Sequence, residues 1–142
     1  MLSKPRYGWT NVTIGEFQGR ASYLTDVPMD CLISFINSLK YGIPASVFFD
    51  EEGSTFTLVT ESYNNTYIIS EREDTELINI NKRFLDLAKE LIKDIEDNLE
   101  DWVFWEDYYD DSEDTLNKRR KLINDRLEKL KELVFIDKEV HN

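Results

Sequence analysis

Histidine is almost missing from this chain of 142 residues, and the one present, His141, is the next-to-last residue. A chain end rarely holds the fixed geometry that proton transfer needs, so a Ser–His or Cys–His catalytic pair is not expected. Cysteine is as scarce. Cys31 alone cannot close an internal disulfide, which agrees with a reducing compartment, and with His it is too little for a zinc cluster. It sits beside Leu32 and one turn before Phe35, the place of a small apolar residue at the edge of a core stripe. Nothing near it in sequence lowers its pKa into a reactive range. Long apolar runs are lacking too. No stretch approaches the roughly 20 residues that span a bilayer, and MLSKPRYGW carries no apolar leader core. Cytoplasmic residence is therefore expected, and the Asn11-Val12-Thr13 and Asn64-Asn65-Thr66 sequons go unused.

Glycine and proline are few, at 5 and 3, which argues against a long disordered tract. Gly15 and Gly19 are not followed by a phosphate-loop pattern. Positive charge is the other shortage, with 17 Lys and Arg against 29 Asp and Glu, a net of -12. Such a surface repels phosphate backbones and anionic membranes, so direct binding to either is not expected. The deficit is uneven: residues 1–70 sum to -3, 71–114 to -12 and 115–142 to +3.

What is present fits one globular domain over residues 1–142, with 41% hydrophobic and 13% aromatic residues. Trp9–Ile14 and 17–23 alternate around the Gly15-Glu16 break and read as a strand hairpin. Asp26 can cap a helix with Pro28 in its first turn and Leu32, Phe35, Ile36 and Leu39 on one side, stopped by Gly42. Strands follow over 45–49, 55–60 and 67–70, joined by a four-residue turn at Asp50-Glu51-Glu52-Gly53 and by Asn64-Asn65. From Ile80 the period becomes helical. Phe84, Leu87, Ala88, Leu91, Ile92, Ile95, Leu99 and Trp102 form one stripe. A last helix capped by Asp111 or Ser112 carries Leu116, Ile123, Leu127, Leu130 and Val134. The expected fold is α+β in the order β-β-α-β-β-β-α-α: a mostly antiparallel five-stranded sheet, one amphipathic helix and a C-terminal antiparallel helix hairpin.

Two groups of charges suggest chemistry. Glu90, Asp94, Asp97 and Asp101 share a helix face, the way bundles present carboxylates to hard cations. They lie beside the apolar stripe, where solvated charge is the simpler reading. The alternative is a Mg²⁺-dependent enzyme acting on phosphate esters, with Glu90, Asp94 and Asp97 as ligands. No cofactor is otherwise called for. The cations Lys118, Arg119, Arg120 and Lys121 span little more than one helical turn, and an antiparallel hairpin sets them near Glu96, Glu100 and Asp101.

The densest feature is the run from Asp94 to Asp114, with eleven carboxylates and no Lys or Arg. Trp102, Phe104, Trp105, Tyr108 and Tyr109 are set within it. Any one ring is simply explained as core, but five spread over too wide an arc to all point inward. Rings ringed by carboxylates suit a basic protein surface, where they fill pockets while the field speeds encounter. Glu100, Asp101, Trp102, Trp105, Glu106, Asp107, Tyr108, Tyr109, Asp110 and Asp111 are the residues expected to meet such a partner. The function class that follows is a non-enzymatic binding or inhibitor protein, of the kind that neutralises a toxin or a nuclease. A structural or regulatory module that forms a homodimer through the helix hairpin is a further alternative.

Overall fold

The computed structural model of the chain describes residues 1–62, 65–105 and 112–140, the last five as helix backbone only. Strands β1 (Trp9–Ile14) and β2 (Phe17–Ser22) form an antiparallel hairpin in which Ile14 pairs with Phe17. Gly15 takes the positive φ (59°) that the first position of this two-residue turn requires. The N-terminal residues lie along β1: the Ser3 N–H donates to Asn11 O (2.9 Å) and the Thr13 N–H to Met1 O (2.8 Å). Helix α1 (Val27–Tyr41) ends on Gly42, whose left-handed φ of 69° lets its N–H reach Ser38 O. Asp26 precedes α1 but makes no side-chain cap; its carboxylate is bound by Arg119 instead.

Strands β3 (Ala45–Asp50), β4 (Thr55–Glu61), β5 (Asn65–Glu71) and β6 (Thr75–Ile80) form a four-stranded antiparallel meander. The turn between β3 and β4 has four residues as expected, but it spans 51–54, one residue later than 50–53, because Asp50 still pairs with Thr55. The β4–β5 connection is residues 62–64, with Asn65 already paired to Glu61, and Tyr63 and Asn64 lie outside the described residues. The α+β class holds, but the strands among the described residues number six in two sheets rather than five in one. The extra strand is β6, which pairs Ile78 with Ile68 and Ile80 with Thr66. Leu77 lies on its outer face and Ile78 and Ile80 on its core side, so the strand lacks a clean period of two, and reading Ile80 as the start of a helical period hid it.

Helix α2 (Phe84–Asp97) and the short α3 (Leu99–Val103) replace the single helix expected over this stretch. The break is at Asn98 (φ -126°, ψ 34°), whose Nδ2 donates to the Asp94 carbonyl. Helix α4 (Glu113–Val140) begins where Ser112 Oγ accepts the Thr115 N–H, one of the two caps expected. It packs on α1 as well as on α2 and α3, so it is more than the second arm of a hairpin.

The inner face of the meander, α1, α2, α3 and α4 enclose one continuous apolar cluster. Phe49 stacks on Phe56 (4.9 Å), Phe17 tilts onto the same ring (4.8 Å), and Phe35 stacks on Phe84 (4.9 Å). The hairpin reaches this cluster because Gly19 lies against Phe56: a Cβ there would be 2.6 Å from the ring. Along the β3 edge, Ser34 of α1 donates to Ser46 O and accepts from Ser46 N, satisfying backbone groups that would otherwise invite pairing.

Candidate functional site

The acidic and aromatic run is not an exposed aromatic surface over its described part. Trp102 is 0% exposed and Trp105 2%, their rings 5.4 Å apart. Each indole N–H has an acceptor inside the fold: Trp102 Nε1 donates to Asp94 O (3.2 Å) and Trp105 Nε1 to Thr25 O (3.0 Å). These two rings therefore close the core at the end of α3 and are not partner-facing anchors. Their i, i+3 spacing after Leu99 was the signal of an inward pair. Phe104, which turns to solvent, lines a shallow cleft with Tyr7 and Asp101. Glu106, Asp107, Tyr108, Tyr109, Asp110 and Asp111 lie outside the described residues.

The carboxylates of this helical edge are matched by cations. Arg120 grips Glu100 with two bonds (2.8 and 2.7 Å), Lys131 meets Glu96 (2.7 Å), Lys93 pairs with Asp97, and Lys4 stands 3.9 Å from Asp101. The Arg120–Glu100 contact is the cross-helix pairing expected of the basic cluster. Lys118 and Lys121 instead pair along their own helix with Asp114 and Asp125. Arg119 is the keystone of the cluster. It donates to the Val103 carbonyl (2.9 Å), to the Trp102 carbonyl (3.0 Å) and, through both terminal nitrogens, to Asp26 (2.9 and 3.1 Å).

Glu90 and Asp94, first weighed as metal ligands, hold the start of the chain. The Met1 ammonium lies 3.1 Å from Glu90 and 3.0 Å from Asp94, and the Leu2 N–H donates to Asp94 (2.8 Å). Lys82 binds the other Glu90 oxygen at 2.7 Å. Partial burial pushes the Glu90 carboxyl up, but the bonds from Lys82 and the ammonium outweigh it and hold it below the usual carboxylate range. A cation at this face would have to displace these donors. No group of three or more His, Cys, Asp or Glu is arranged to hold a metal among the described residues. Cys31 is fully buried, and burial pushes its thiol up, away from the thiolate that nucleophilic chemistry requires. No helix among the described residues is long and apolar enough to cross a membrane.

Unmatched negative charge gathers on the sheet. Residues 50–76 hold eight carboxylates and one cation, Arg72. Arg72 is committed to Glu51 (3.1 Å) and to Gln18 O (2.9 Å), with its guanidinium over the Phe17 ring. The remaining seven, Asp50, Glu52, Glu61, Glu71, Glu73, Asp74 and Glu76, have no ion pair among the described residues. Glu73, Asp74 and Glu76 line an open cleft of about 780 Å³ between β6 and the β1–β2 turn. Burial pushes the Glu51 carboxyl up, but bonds from Arg72, the Arg20 N–H and Ser54 hold it below its ordinary value.

The sheet also has an outer face on which no described element packs. In register, Phe48, Thr57, Ile69 and Leu77 cross it in one row, with Val59 and Tyr67 in the next. Phe48 is 48% exposed and Leu77 59%. In the sequence this face shows only as a loss of alternation. Val47-Phe48-Phe49, Ile68-Ile69 and Leu77-Ile78 put apolar residues on both sides of a strand, where a half-solvated sheet calls for alternation.

No protein-family model, curated protein or solved structure matches this chain.

Proposed function

We propose that the chain is a non-enzymatic, acidic binding protein that engages a basic protein partner, acting as an inhibitor of the toxin-immunity or nuclease-antagonist kind. The observation that carries this reading is the separation of its charges. Among the described residues, the carboxylates of α2 and α3 other than Asp86 are paired with the chain's own cations, whereas those of β3–β6 and their turns other than Glu51 have no ion pair. A field left open on one side favours fast, oriented encounter with a cationic surface. Cytoplasmic residence belongs to the same proposal, supported by the single cysteine, a free thiol.

The contact first expected at residues 94–114 is reduced, in its described part, to Phe104 and Asp101, because Trp102 and Trp105 turn inward and Glu100 is held by Arg120. The weight of the proposal moves to the sheet. Its test is recovery of proteins from the native host on the immobilised full-length chain, followed by calorimetry with each purified candidate. A basic partner is expected whose affinity falls steeply between low and moderate salt and whose activity, if it is a toxin or nuclease, is blocked at one-to-one stoichiometry. Binding indifferent to salt, or no basic partner at all, would contradict the proposal.

A further inference from the structure

We infer that the outer face of the β3–β6 sheet is the docking surface, and that what docks there is a protein patch with an apolar centre and a rim of Lys or Arg. This rests on the reading above that the partner is basic, and adds where it sits and what its surface is. The centre of the face is the row Phe48, Thr57, Ile69 and Leu77 with Val59 and Tyr67 beside it. Water gains nothing from such a band, and contiguous exposed apolar surface of this kind marks interaction sites on soluble proteins.

The rim chooses the occupant. The row on one side of the band contains Asp50, Thr55, Glu71 and Thr75, and Glu61 with Asn65 closes the other side. No Lys or Arg points from this face, since the strand residues of its four rows include none. A second copy would bring carboxylates against carboxylates around the apolar centre, a like-charge arrangement that opposes pairing. Anionic lipid and nucleic acid are repelled for the same reason. A cationic rim around an apolar patch satisfies both parts of the face, apolar against apolar and charge against opposite charge.

The test is an NMR titration of the full chain, reading backbone amides, with a synthetic peptide alternating leucine and lysine. A leucine–glutamate peptide and a serine–lysine peptide serve as controls. Saturable shifts are expected at Phe48, Thr57, Ile69 and Leu77 with the leucine–lysine peptide, weaker ones with serine–lysine and none with leucine–glutamate. Phe48→Ser together with Leu77→Ser should weaken binding by about tenfold or more, while Leu122→Ser on α4, also an exposed leucine, should not. The double variant should keep its Tm within about 4 °C, because neither side chain supports the core; a larger fall would make them packing residues and overturn the inference. Saturable shifts confined to residues 96–105 would overturn the placement and leave the basic-partner reading intact. No saturable shift with either lysine peptide would overturn both. Sheet-face shifts that follow the chain's own concentration would replace the partner with a second copy.

Discussion

The guanidinium of Arg119 serves two kinds of acceptor at once, the Asp26 carboxylate ahead of α1 and the carbonyls that end α3. Arg119→Ala strands both, at a cost of about 2–3 kcal/mol in urea unfolding. Arg120→Ala, which frees only the surface carboxylate of Glu100, should leave the unfolding midpoint nearly unchanged. Trp105 makes the same distinction for an aromatic. As a buried ring bonded to Thr25 O, its replacement by Ala should destabilise the chain by about 3–5 kcal/mol, whereas a solvent-facing anchor would be lost without cost to stability. Residue types alone could not separate these cases. Trp102 and Trp105 looked like anchors because they stand among carboxylates, but α3 ends at Val103 and the chain turns Trp105 back under Thr25. Cys31, by contrast, lies where its apolar neighbours placed it.

Elements whose polarity has one period were legible. The β1–β2 hairpin, α1 with its Gly42 stop, the four-residue turn after β3 to within one residue, and the Ser112 start of α4 all follow from local chemistry. Elements with apolar residues on two sides were not. The outer face and β6 share that cause, and the break at Asn98 was hidden by an apolar stripe running on into Trp102. How the hairpin docks on the meander was also beyond the sequence, since it depends on Glu51 and Arg72 from two turns meeting Gln18 of β2. That junction should be sensitive to acid. The folded Glu51 carboxyl titrates below its ordinary value of 4.5, so its contribution is fully present above that pH and is lost as pH falls through the lowered folded value. In thermal unfolding between pH 7 and 3, the Tm advantage of the native chain over Glu51→Gln should be constant down to about pH 5 and shrink below it. An advantage unchanged across the whole range would show that the charge of Glu51 does not fasten the hairpin.

Over the whole molecule, a net charge of -12 says little until it is known which carboxylates are already answered. The acidic run dominates the sequence, yet in the fold its helical part is met by Lys4, Lys93, Arg120 and Lys131, while the sheet and its turns, Glu51 apart, keep their charge. The sequence held the total and its unevenness along the chain. The pairing depends on which distant cations the fold brings up. The most direct measurement compares two triple variants that each remove three negative charges, Asp50→Asn/Glu61→Gln/Glu71→Gln on the sheet and Glu96→Gln/Asp97→Asn/Asp101→Asn on the helices. Both are titrated with the leucine–lysine peptide at low salt. If the unmatched charge of the sheet is what a basic partner meets, the first variant weakens binding by about tenfold and the second by less than about twofold. Equal losses, or a greater loss from the helix variant, would contradict it.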